Sequence, residues 1–179
     1  MHSLIHKNRH STHPTMKPYN INDVADYVIY NIKGEDPSAS LINLKLQKLV
    51  YYVQAWSLGI SGEPFFVGKF QAWIHGPVSR ELYDRFKLVK GLYSEINLCD
   101  MKNSATEFPF EDRDVNFLNF ILHNYAKLSG TQLEQLTHQE DPWKITRVGF
   151  LPFQKCEKEI DEDLMRAYYG NKWKSISGK

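Results

Sequence analysis

The sequence predicts a mainly α fold (α+β in detail): a compact bundle of about six helices with a small β element around residues 65–75 and a second candidate at 93–98. Two observations carry this. Apolar residues recur at three- and four-residue spacing through most of the chain, the mark of helices with one face turned to a core. That spacing gives way to a sustained alternation only at 65–75. The composition agrees, since of 179 residues 42% are hydrophobic and 24% charged, close to globular averages. One domain is expected, over residues 18–173, with a tail at either end.

Ile21, Val24, Ala25, Val28, Ile29 and Ile32 place a first helix at about 22–33, capped by Asn20 or Asn22 and ended by Gly34. A second helix, about 44–58, uses Leu46, Leu49, Val50, Val53 and Trp56 as its stripe, with Asn43 or Ser40 as cap. Gln47, Lys48, Tyr51 and Tyr52 fall partly on its other faces, so it belongs at the centre of the bundle. Gly59 and Gly62-Glu63-Pro64 are its stop signals. In the alternating stretch Phe66, Phe70, Ala72 and Ile74 share one face, and Val67, Trp73 and His75 the other. Gly76 breaks it, and Pro77 suits the first position of a third helix running through Leu82, Tyr83 and Phe86. Helices follow at about 114–127, from the capping box Ser129/Gln132 to Thr137, from Asp141-Pro142 to Arg147, and at about 161–169, where Gly170 stops the last one. Residues 174–179 form a frayed basic end.

Residues 1–17 hold His2, His6, His10 and His13 without an apolar period, which reads as a disordered extension more than a metal site. Met16 stands just ahead of the first helix as a second possible start of translation. A net charge of +1 provides no global field for nucleic acid or an anionic membrane. No run of 18 apolar residues exists, so no membrane span is expected. Cys99 and Cys156, far apart and outside any CxxC, read as reduced thiols of a cytoplasmic protein.

An enzyme reading gathers His75, His138, Glu140 and Asp141 as a metal set or acid–base pair. Against it, His138 and Glu140 lie two residues apart, on different faces of a helix, and no HExxH is present. The alternative is that both histidines bond backbone at turns. Neither a nucleophile elbow nor a phosphate-binding glycine loop occurs. The helices flanking Ser129 imitate a helix-turn-helix, but the second offers Gln132, Glu134, Gln135 and His138 and no Lys or Arg. An interaction reading rests on Tyr51, Tyr52, Trp73 and Trp143, whose polar tips need partners and which are hard to bury together. Core packing is the competing use of the same aromatics.

Three blocks reach further. Leu44-Lys45-Leu46-Gln47-Lys48-Leu49-Val50-Tyr51-Tyr52, then Gln71-Ala72-Trp73-Ile74-His75-Gly76-Pro77-Val78 with Leu82-Tyr83, then Leu136-Thr137-His138-Gln139-Glu140-Asp141-Pro142-Trp143 occur in this order. Together they resemble the Panacea domain, the family of SocA-like antitoxins and GepA-like phage-associated proteins, over about residues 19–173. The resemblance implies an antitoxin of a toxin–antitoxin system, not an enzyme, that neutralises a cognate toxin protein by direct binding. In one branch the domain instead hands its toxin to an ATP-dependent protease, which is the alternative mechanism and partner. It implies no cofactor, no nucleic acid bound by this domain itself and no membrane. The motif and partner-binding candidates are Gln47, Lys48, Tyr51, Tyr52, Trp73, His75, Arg80, Tyr83, His138, Glu140 and Trp143. Of these, Gln47 and Lys48 are expected to bond the Trp73–Pro77 turn or to face the partner. His75 and Gly76 are expected to shape that turn, and Trp143 to anchor the last helices on the second.

Overall fold

The computed structural model describes residues 18–103 and 107–178. The expected His-rich extension, and the metal site weighed against it, lie outside the described residues. Within them are seven α-helices and two two-stranded sheets, so the fold is mainly α with a small β element. In order these are β1 (Tyr19–Asn20), α1 (Ile21–Glu35), α2 (Asn43–Ser61), β2 (Phe66–Val67), β3 (Phe70–Trp73), β4 (Gly76–Ser79), α3 (Arg80–Phe86), α4 (Asp112–Tyr125), α5 (Gly130–Gln139), α6 (Asp141–Thr146) and α7 (Glu162–Ser177).

Helix α2 is the axis. Residues on all its faces are buried, including Gln47, Lys48, Gln54 and Ser57, and α1, α4, α5, α7 and β4 pack around it. An all-round buried helix needs internal partners for its polar groups. Gln54 shows how they are met: its Oε1 accepts from the backbone N–H of Phe65 (2.9 Å) and its Nε2 donates to the Phe66 carbonyl (3.1 Å), which closes the turn after the helix. Trp56 Nε1 donates to Tyr125 Oη at 2.7 Å, tying α2 to α4.

Several boundaries differ from the sequence reading, each for a tertiary reason. Gly59 does not end α2; Gly62, at φ 81°, is the C-cap. A Cβ on Gly59 would sit 2.5 Å from Tyr169 Cβ and 2.6 Å from its carbonyl carbon, so the glycine is there for helix contact. Gly170 lies opposite, against the Gly59 carbonyl, and α7 runs past it to Ser177.

Pro77 does not open a helix. It pairs with Ala72 in the antiparallel β3–β4 hairpin, and α3 starts only after Ser79, whose side chain caps it. The strand tolerates proline because Ala72 needs no N–H from it. The Ala72 N–H donates to the Lys158 carbonyl (2.9 Å) and its carbonyl accepts from Arg147 Nη1 (2.8 Å). The extended stretch 65–75 is thus divided between β2 and β3 and turns at Ile74-His75.

No strand forms at 93–98. A single bridge joins Ile42 to Glu95, and a 3-10 turn follows at Leu98–Asp100. This segment instead caps α2. The N-cap residue Ile42 has no side-chain oxygen, and the N–H groups of Asn43 and Leu44 donate to the carbonyls of Ser94 (3.0 Å) and Leu92 (2.8 Å). The Ser129/Gln132 capping box is present at α5, and both cysteines are free thiols. Among the described residues no helix is long and apolar enough to cross a membrane.

Candidate partner-binding site

The three sequence blocks converge on the β3–β4 hairpin and the α5–α6 corner. Gln47 clamps Ser79: its Oε1 accepts from the Ser79 N–H at 3.0 Å and its Nε2 reaches the Ser79 carbonyl at 3.4 Å. Lys48 is fully buried and donates to the Pro77 carbonyl at 2.9 Å. Its stem occupies the space that Gly76 leaves, for a Cβ there would lie 2.7 Å from Lys48 Cε and 2.7 Å from Thr137 Oγ1. Gly76 also needs its φ of 91°, so it is fixed twice over. Burial lowers the Lys48 pKa to about 7, only partly opposed by the charge of Glu134. Lys48 bonds the Trp73–Pro77 turn, whereas Gln47 reaches beyond it to Ser79; both side chains are buried against the hairpin.

Glu140 forms the second knot. Its buried carboxylate accepts from Tyr169 Oη (2.6 Å), Tyr52 Oη (3.2 Å) and Lys172 Nζ (3.0 Å), joining the α5–α6 corner to α2 and α7. Burial and then the Glu140 charge push the Tyr52 hydroxyl far above its ordinary pKa. Tyr125, stacked on Tyr52 at 4.0 Å, is raised by burial to about 12. Tyr51 is buried as well, edge-on to Phe70 at 5.2 Å, and its hydroxyl has no hydrogen-bond partner among the described residues. The tyrosine pair is therefore core. The expectation that such polar tips resist full burial meets its answer in Glu140 for Tyr52, and an exception in Tyr51.

Trp143 locks the corner to the hairpin by donating from Nε1 to the Trp73 carbonyl at 2.9 Å, and its ring packs against the core built around α2. His138 stacks on Trp143 at 4.0 Å, and burial lowers its pKa. Arg147 lies over the same ring, and its Nη2 donates to the carbonyls of Leu151 (3.1 Å) and Gln154 (2.8 Å). Nothing in the local spacing marks Arg147, Tyr169 or Lys172, because the partners that matter, Ala72 for Arg147 and Glu140 for the other two, are remote in the chain.

The remaining candidates lie on the outer side of the hairpin. Trp73 and Tyr83 are half-buried with ring centroids 4.8 Å apart, and the Arg80 guanidinium stands 5.9 Å and 5.7 Å from them. Arg80 also pairs with Asp84 and Glu157, each at 3.3 Å. His75 is 47% exposed and its Nδ1 pairs with Glu134 at 2.9 Å, a carboxylate and not the backbone partner expected of it. His75, His138 and Glu140 do not assemble. Among the described residues no group of three His, Cys, Asp or Glu side chains could hold a metal ion.

The family described as "Antitoxin SocA-like, Panacea domain" matches residues 46–144. The chain is also similar to "Antitoxin SocA" of Caulobacter vibrioides (strain NA1000 / CB15N), with 29% identity over 133 residues, covering 67% of this chain and 70% of that protein. No solved structure matches. The matched span runs from within α2 into α6 and holds the Gln47–Lys48 contacts with the hairpin, Glu140 itself and the outer aromatic face, while Tyr169 and Lys172 of the second knot lie beyond it.

Proposed function

We propose that this chain, which belongs to the SocA-like Panacea-domain antitoxin family, neutralises a cognate toxin protein by direct binding. The single observation that carries the proposal is the family match over residues 46–144. The disposition of side chains supports it. Gln47, Lys48 and Glu140 have their hydrogen bonds inside the protein. Trp73, Tyr83 and Arg80 stay at the surface, and these are residue types enriched where proteins dock.

The test is growth. Expressing the neighbouring gene alone should arrest cells, and co-expressing this chain should restore them. A harmless neighbour, or arrest that this chain does not relieve, would overturn the proposal. Comparing toxin levels with and without the cell's ATP-dependent proteases separates sequestration, which leaves them unchanged, from delivery for degradation.

A further inference from the structure

We propose that a cavity of about 790 Å³, between the ends of α1 and α4 and the starts of α2 and α5, binds a small molecule through one oxyanion group, a carboxylate or a phosphate, held at Lys45 and the first turn of α5. This goes beyond toxin binding and does not depend on it.

The first support is a buried cation without a counter-ion. Lys45 lines the cavity and is 8% exposed. Its Nζ donates to the Ser40 carbonyl at 3.2 Å, and among the described residues no carboxylate pairs with it. The neighbouring carboxylate, Glu95, is taken by Lys33 at 3.3 Å, and Lys33 is buried too. Two buried lysines therefore share one carboxylate. Burial lowers the Lys45 pKa, and the Lys33 charge adds to the fall against the pull of Glu95. A buried charge left in this state is costly, and an anion from outside offsets the cost.

The start of α5 is the second support. Its capping box uses the N–H groups of Ser129 and Gln132. Those of Gly130 and Thr131, which line the same cavity, have no acceptor within the helix. A Cβ on Gly130 would lie 2.9 Å from Ile42 Cδ1 and 3.4 Å from the Lys45 backbone nitrogen, so the missing side chain lets α5 begin directly against α2, beside Lys45. Free helix N–H groups next to a lysine form a recurrent oxyanion-binding arrangement.

Size and charge describe the rest of the ligand. The volume falls within the range of about 300–1,000 Å³ usual for small-molecule sites. Ile32, Leu122 and Leu128 give it an apolar wall. His123 and Lys127 also line it, as do Glu35 and Asp36, both exposed. Asp36 is turned to the Ser38 N–H (2.9 Å) and hydroxyl (2.6 Å). The two exposed carboxylates balance the two lysines of the lining, so the site suits one negative charge and not a nucleic-acid backbone.

The test uses the purified full chain, titrated with inorganic phosphate in one series and acetate in another, at constant ionic strength. The thermal midpoint should rise along a saturation curve with at least one of them, by about 3–6 °C at tenfold its dissociation constant. Whichever oxyanion does so names the class. Lys45→Met removes the buried charge, so its midpoint without ligand should stay level or rise while the response vanishes. In the wild type the amide NMR signals of Gly130 and Thr131 should shift along the same curve, a readout that stands even where the variant fails to fold. No response to either anion, an equal response in Lys45→Met, or a response that leaves both amides unmoved overturns the site. None of these results touches the antitoxin reading.

Discussion

Lys48 is the residue whose chemistry departs most from its type. It is fully buried, and its one hydrogen bond among the described residues is to a neutral carbonyl, that of Pro77. Burial brings its pKa to about 7, whereas an unfolded lysine titrates near ~10.4. Between those values the unfolded chain binds a proton that the folded chain has released. Stability therefore rises with pH across that window, by at most about 1.4 kcal/mol per pH unit. Urea melts at pH 7, 8 and 9 should show this slope in the wild type, and Lys48→Met should flatten it. An equal slope in both proteins would contradict the burial argument. Glu140 makes the complementary case, a buried carboxylate with three donors. Glu140→Ala orphans the Tyr52 and Tyr169 hydroxyls, and a loss of about 2–4 kcal/mol in denaturant unfolding is expected. Glu140→Gln keeps an acceptor and should lose less. Neither environment was legible in the sequence. The block Gln47-Lys48-Leu49-Val50-Tyr51-Tyr52 is plain there, but which polar group turns inward depends on the hairpin and α7, which arrive from elsewhere in the chain.

At the scale of elements, helical spacing located α1, α2, α4 and α5 to within about three residues, because each buries a face against a common core. The misplacements share one cause. Gly59, Gly170 and Pro77 carry strong local signals for stopping or starting a helix, and each is used for a close approach or a strand whose reason is remote. Gly59 and Gly170 let α2 and α7 meet nearly backbone to backbone. Gly59→Ala should force these helices apart and destabilise the protein by about 1–3 kcal/mol. Gly34→Ala is the contrasting case. It sits near the end of α1, a Cβ there meets nothing nearer than the Tyr30 ring at 4.0 Å, and a gain of up to about 1 kcal/mol is expected. Chemical denaturation of the two variants should give opposite signs; no loss in Gly59→Ala would mean that the α2–α7 contact is not the reason for Gly59.

For the whole molecule, the design is a rigid interior and an open hairpin face. The Lys48–Gly76–Pro77 knot and the Glu140 knot hold β3–β4 and the α5–α6 corner against α2, and on the outside they leave Trp73, Arg80, Tyr83 and the Asn43 pocket. The three blocks made the family legible in the sequence, since their order and joint presence need no structure. The pocket beside Asn43, lined also by Lys87 and Lys90, was not legible. Asn43 reads as an ordinary helix cap until Leu92 and Ser94 are seen to do that work, and Lys87 and Lys90 have no spacing that marks them. The proposed function stands or falls on direct neutralisation by binding. The measurement closest to it is titration of the purified chain with the purified product of the neighbouring gene, followed by calorimetry. A saturable complex of fixed stoichiometry, in which the toxin loses its activity, is the predicted result. A toxin that stays fully active and unbound at saturating amounts of this chain would contradict it.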